Sequence, residues 1–110
     1  MKLPNSERGI VDITKLRNYC LSVEHRRGQH KARVFAATLG LTAENAEELQ
    51  AALLNAAQTY EAISTEQDAY GQRYVLDFTL ARAGRQAIIR STWIIRRNED
   101  FPRLTSCYVL

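Results

Sequence analysis

Along the chain, apolar residues recur at spacings of three and four until about residue 60, and at every second position beyond it. The first period belongs to helices buried on one face, the second to strands. Asp12 stands at an N-cap position, and Ile13, Leu16 and Cys20 share a face behind it, which predicts a helix from Ile13 to about Ser22. "GQHKARVFAATLG" predicts a second helix, with Ala32, Phe35, Ala36 and Leu39 on its inner side and Gly40 placed to end it in the left-handed conformation. Thr42 is the expected cap of a third, from Ala43 to about Thr59, with Ala46, Leu49, Leu53 and Ala56 along one face.

The alternating half predicts four strands. "YEAIST" is the first. "QRYVLDFTLA" puts Tyr74, Leu76, Phe78 and Leu80 on one face and Val75, Asp77 and Thr79 on the other, and "RAGR" then reads as a hairpin turn around Gly84. In "QAIIRSTWIIRR" Ile89, Trp93 and Ile95 oppose Arg90 and Thr92; "NEDFP" closes that strand, since Pro102 cannot donate to a ladder. "RLTSCYVL" is the last, with strict alternation pointing Leu104, Tyr108 and Leu110 one way and Arg103, Thr105 and Cys107 the other. Helices first and strands afterwards predict an α+β fold, with N-terminal helices packed on one face of a C-terminal antiparallel four-stranded meander, in a single domain spanning residues 1–110.

Composition leaves this picture standing and narrows the function. With 45% hydrophobic and 25% charged residues, and only five Gly and two Pro, the chain is neither fibrous nor disordered. No apolar run approaches the ~18 residues of a membrane span, and "MKLPNSERG" lacks the apolar stretch of a signal peptide. No membrane association and a cytoplasmic location are therefore expected. Cys20 and Cys107 have neither the number nor the spacing of a disulfide framework or a zinc site, so reduced packing residues, no metal and no cofactor are expected.

Charge is segregated. Residues 1–35 hold eight Lys/Arg against three Asp/Glu, residues 36–70 none against six, and residues 71–110 seven against three. If the fold brings the two basic blocks together, they make a face suited to a polyanion or an acidic protein. The densest part is "HRRGQHKARVF", residues 25–35, which holds both histidines and four cations without an acid among them. On a helix that begins early enough, Arg26, His30 and Arg33 lie within about 60° of one another, away from the apolar side. Alternatively Gly28 marks the helix start and leaves His25 to Arg27 in a loop. A solvated polar face would account for such a segment, but a helix that is merely soluble usually mixes signs at a spacing of four.

This cluster has a use in phosphodiester chemistry. RNA is cut without metal when a base deprotonates the 2′-hydroxyl, an acid protonates the departing 5′-oxygen and cations stabilise the anionic phosphorane between. Histidine serves either proton transfer near neutral pH. Lys31, Arg33 and the strand arginines are candidate phosphate ligands, and Asp77, Thr79, Arg90, Thr92, Arg103 and Thr105 share one predicted sheet face that would form the floor. Trp93 and Tyr74 fall with the apolar set and are expected in the core.

"KLPN", "HKARVFAATLGLT", "YGQRYVLDF" and a Trp followed by "EDFPRLTSCYVL" together resemble a bacterial family of unknown function, found as small stand-alone proteins and as the last domain of polymorphic toxins. The resemblance covers nearly the whole chain. The order of helices and strands is also similar to the toxin-nuclease fold of barnase, colicin nucleases and RelE-type toxins. That resemblance implies a small metal-independent ribonuclease, of the kind that serves as the toxin of a bacterial toxin–antitoxin pair, with His30, Lys31, Arg103 and Thr105 as catalytic candidates and Arg26, Arg33, Arg90 and Thr92 as candidate RNA or phosphate ligands. RNA and an acidic antitoxin- or immunity-type protein are the implied partners. The alternative is a non-catalytic module that holds RNA or an acidic protein on the same basic surface. The first needs His30 close to the strand hydroxyls and arginines; the second needs only continuous positive charge.

Overall fold

A computed structural model describes residues 1–110. A one-turn helix, α1 (Ile13–Lys15), runs directly into a π-helical segment, Leu16–Cys20, and is followed by α2 (Gln29–Leu39), a 3-10 turn (Ala43–Asn45) and α3 (Ala46–Thr59). Four strands complete the chain: β1 (Ile63–Gln67), β2 (Gly71–Arg82), β3 (Arg85–Arg96) and β4 (Arg103–Val109), antiparallel throughout in the order β1-β2-β3-β4. This is the α+β meander expected from the change of period.

The helices follow their apolar faces. The Asp12 side chain accepts from Thr14 N–H (2.9 Å) and caps α1, as expected, but the helix then widens: Leu21 N–H reaches back five residues to the Leu16 carbonyl (2.9 Å). Leu16 and Cys20 are still buried. Gly28 accounts for the crowding there, because a Cβ on it would lie 2.4 Å from the Tyr19 carbonyl oxygen. α2 buries Ala32, Phe35 and Leu39 and ends at Gly40, with φ 67°. Thr42 forms a capping box with Asn45, and α3 buries Ala46, Leu49, Leu53, Ala56 and Ala57.

β2 and β3 pair without interruption from Gly71↔Arg96 to Arg82↔Arg85. Ala83 and Gly84, with φ of 53° and 76°, form the two-residue turn between them, the pattern that matches the twist of paired strands. The helix-facing side carries Tyr74, Leu76, Phe78, Ile89, Trp93, Leu104 and Cys107, which join the buried helix residues in one hydrophobic cluster. Ser91 is the buried polar residue on that face: its hydroxyl donates to the Leu76 carbonyl (2.7 Å) and accepts from Trp93 Nε1–H (2.9 Å). Trp93 and Tyr74 are thus core residues, as their alternation predicts.

Two strand expectations need correction. The first strand begins at Ile63 rather than Tyr60, and all five of its residues are exposed, so no buried face fixes its limits in the sequence. In β4 the strict alternation fails. Ser91 pairs with Cys107 and Thr92 with Ser106, but Trp93 pairs with Leu104, which leaves Thr105 as an extra residue in a β-bulge. The bulge resets the phase. Leu104 and Cys107, assigned to opposite faces by alternation, are both in the core, while Tyr108 lies opposite Arg90.

Candidate functional site

The bulge lies in β4, the last strand of the sheet, and the N-terminal segment is bound to that edge. Ile10 N–H donates to the Pro102 carbonyl (2.9 Å), Leu104 N–H donates to Ile10 (2.9 Å), and Lys15 Nζ donates to the carbonyl of Thr105 itself (3.2 Å). The Thr105 hydroxyl lies 2.6 Å from that of Thr92 on β3. A cleft of about 620 Å³ opens beside them, lined by Lys15, Tyr19, His25, Thr105 and Ser106. The carboxylate that lines it, Asp12, is the one that caps α1.

His25 is fixed in the turn before α2. The backbone N–H groups of Arg27 and Gly28 both donate to its Nδ1 (3.1 Å each), and its ring meets Tyr19 edge to face at 4.6 Å. Because Nδ1 accepts, the proton of the neutral ring is assigned to Nε2, which makes that atom a donor. Gly28 therefore marks the start of the helix, and Arg26 lies in the turn instead of sharing a helical face with His30 and Arg33.

The candidate residues are distributed as follows. Thr92 and Thr105 are in contact at the bulge. Lys31, on α2, reaches round the sheet edge and places Nζ 4.5 Å from the centre of the Tyr108 ring. His30 is exposed and makes no side-chain hydrogen bond; Arg26 and Arg33 are also exposed, the latter donating to Gln29 Oε1 (3.2 Å). Arg90 and Arg103 are engaged with acids. Arg90 donates two bonds to Asp77 (2.9 Å each), and Arg103 two to Glu99 (2.8 Å each) while lying over Phe101. These guanidinium groups hold the Asp77 and Glu99 carboxyls below the usual carboxylate range and are themselves raised by them.

Ion pairs engage part of each basic block. Arg73, Arg82, Arg90 and Arg103 of the C-terminal block, and Arg8 and Arg17 of the N-terminal block, each face a carboxylate. Arg26, Arg27, Lys31 and Arg33 face none. The segment that is densest in charge in the sequence is thus left without ion pairs, as are Lys2, Lys15, Arg85, Arg96 and Arg97 elsewhere. Lys15, His25, Ser106 and Tyr108 join this neighbourhood without having been singled out as site residues by sequence. A reading of Tyr108 depended on the phase of β4, and nothing in the sequence marks the bulge that changes it. For Lys15 and Ser106 there was no signal beyond residue type.

This site belongs to a domain of unknown function: the chain is a member of the DUF6883 family, whose pattern matches residues 2–110. In three dimensions the chain is similar to one from a contact-dependent growth inhibition toxin–immunity protein complex of Klebsiella pneumoniae 342, with a TM-score of 0.69 and 13% sequence identity, covering 92% of this chain and 99% of that one. At that identity the likeness is one of fold. Among curated proteins none matches the sequence significantly.

Proposed function

We propose that this protein is a small RNase-like toxin domain that cuts RNA by metal-independent transesterification at the β4 bulge. The observation that carries the reading is the cleft in which Lys15 and His25 stand beside Thr105 and Ser106, with the unpaired cations of residues 26–33 following His25 along the chain. The fold shared with a chain of a toxin–immunity complex agrees with it.

Each group has a role in that chemistry. The Thr92–Thr105 hydroxyl pair and the Nε2–H of His25 would orient the scissile phosphate, and His25 is suited to donate a proton toward the departing 5′-oxygen. His30, adjacent to Lys31, is the candidate base for the 2′-hydroxyl. Lys15 and Lys31 would stabilise the phosphorane charge. Arg26 and Arg33 would hold flanking phosphates, whereas Arg90 and Arg103 contribute to the floor through their carboxylate pairs.

The second reading is a binding module, favoured by the same unpaired cations. An acidic partner protein of immunity type, or RNA itself, would supply the missing negative charge. Cleavage of RNA in the presence of a chelator separates the two. The first reading expects 2′,3′-cyclic phosphate ends, with His25→Ala or His30→Ala slowing the reaction by roughly 10² to 10⁴ fold and Lys31→Ala also slowing it. No cleavage by the wild type, together with RNA binding that weakens as salt rises and whose salt slope flattens in Arg26→Gln/Arg33→Gln, would establish the module instead.

A further inference from the structure

Thr105 lines two further hollows besides the cleft that holds His25. A narrow one of about 110 Å³ adds Arg96 and Arg103 to Lys15. It shares Ile94, Arg96 and Thr105 with a wider one of about 450 Å³ that reaches Tyr70 and Arg97. The shared lining makes one groove, which runs from His25 over the β4 bulge to the end of the β2–β3 pairing at Gly71↔Arg96. Its far part lies on the side of the sheet away from the helices. Arg73, Ile94 and Arg96 alternate there with Tyr74, Trp93 and Ile95, and Ile94 is buried without joining the core cluster.

At the far end Tyr70 is 72% exposed, yet its backbone is fixed. The Asp68 carboxylate accepts from the N–H groups of Tyr70 (2.9 Å) and Gly71 (3.3 Å), and the Tyr70 carbonyl accepts from Arg97 N–H (3.1 Å). Gly71 approaches β3 so closely that a Cβ on it would lie 2.1 Å from the Ile95 carbonyl oxygen. Beside Tyr70 stand Arg96 and Arg97, neither of them ion-paired, since the neighbouring acids Asp68 and Glu99 are bonded to Arg73 and Arg103. A ring held in water gains nothing from burial. An exposed ring next to free cations is the combination that binds single-stranded nucleic acid, with cations on the phosphates and the ring on a base.

We propose, on the reading that RNA is cut at the bulge, that Tyr70, Arg96 and Arg97 form a subsite for a nucleotide flanking the scissile phosphate, so that the substrate is single-stranded. Tyr70 stacks on the base, and Arg96 and Arg97 hold phosphate. A duplex keeps its bases stacked on one another and offers none to the ring. Every base has a face on which a ring can stack, so the subsite selects for an unpaired strand and not for a sequence.

A short 2′-O-methyl RNA strand lacks the attacking hydroxyl, so its binding reports on the groove whether or not the protein cuts RNA. In fluorescence anisotropy titrations Tyr70→Ala should weaken binding by about 5- to 100-fold, whereas Tyr70→Phe, which keeps the ring, should bind as the wild type does. Arg96→Gln/Arg97→Gln should flatten the slope of log affinity against log salt by about 1.4, two phosphate contacts at about 0.7 each. All these side chains are exposed, so denaturation midpoints should match the wild type. Equal affinity of Tyr70→Ala and wild type, an equal loss in Tyr70→Phe, or a wild type that leaves the strand unbound, as expected if this face holds a partner protein instead, would overturn the subsite. A wild type that binds the strand through Tyr70 but cuts no RNA would uphold the subsite and overturn the cleavage alone.

Discussion

Phe35 lies wholly within the core on α2, which packs on β3, β4 and the π-helical segment. Phe35→Ala should cost about 3 to 5 kcal/mol, measured by chemical denaturation; a change below about 1 kcal/mol would place this residue outside the packed interior. Ser91 presents the opposite problem, a polar group in an apolar layer. Its hydroxyl satisfies both the Trp93 indole and the Leu76 carbonyl. Ser91→Ala removes one methyl-sized atom's worth of volume but strands two buried partners, so a loss of about 1 to 3 kcal/mol is expected in the same measurement. Equal stability of Ser91→Ala and wild type would mean that water replaces the hydroxyl.

Among the elements, the β2–β3 hairpin is the longest pairing of the sheet, and its turn holds one residue against its preference. Ala83 sits at φ 53°, a conformation that costs a non-glycine residue about 1 to 2 kcal/mol. Asn tolerates that region better and is favoured in this turn type. Ala83→Asn should therefore raise stability by about 0.5 to 1 kcal/mol, seen as a higher denaturation midpoint with an unchanged slope; a fall would show that the turn is held by contacts beyond its own backbone. The β4 bulge has the larger consequence for function. By adding one residue it keeps both Leu104 and Cys107 in the core and brings the Thr105 hydroxyl to Thr92 at the sheet edge.

Across the whole molecule, Glu48, Asp68, Asp77, Glu99 and Asp100 are all held below their usual values, in each case first by a hydrogen bond from an arginine. A carboxyl whose folded value is lowered contributes stability above its unfolded value, about 4, and loses it as pH falls through the lower folded value. Stability should thus be level from neutral pH to about 5 and decline below about 4. Exposed pairs are individually weak, so the decline is a shared effect of several arginines. Denaturant midpoints measured between pH 7 and pH 3 check this; stability that increases on acidification through pH 4 would contradict it.

The sequence by itself determined the order of elements, their faces and most of the core, because burial on one side imposes a period on each helix and strand. Phe35, Leu49, Leu53, Leu76, Ile89 and Trp93 all lie inside where that period puts them. β1 was harder to delimit, since a strand exposed on both faces carries no such period. The candidate site was legible only in part. "HRRGQHKARVF" drew attention as an acid-free run, and the fold leaves its cations unpaired, but which histidine stands beside a strand hydroxyl is a matter of distance between residues 80 positions apart. Tertiary structure decided that His25 shares the cleft with Thr105. It also decided the phase of β4, because a bulge arises from pairing with a neighbouring strand and leaves no mark on the strand's own alternation.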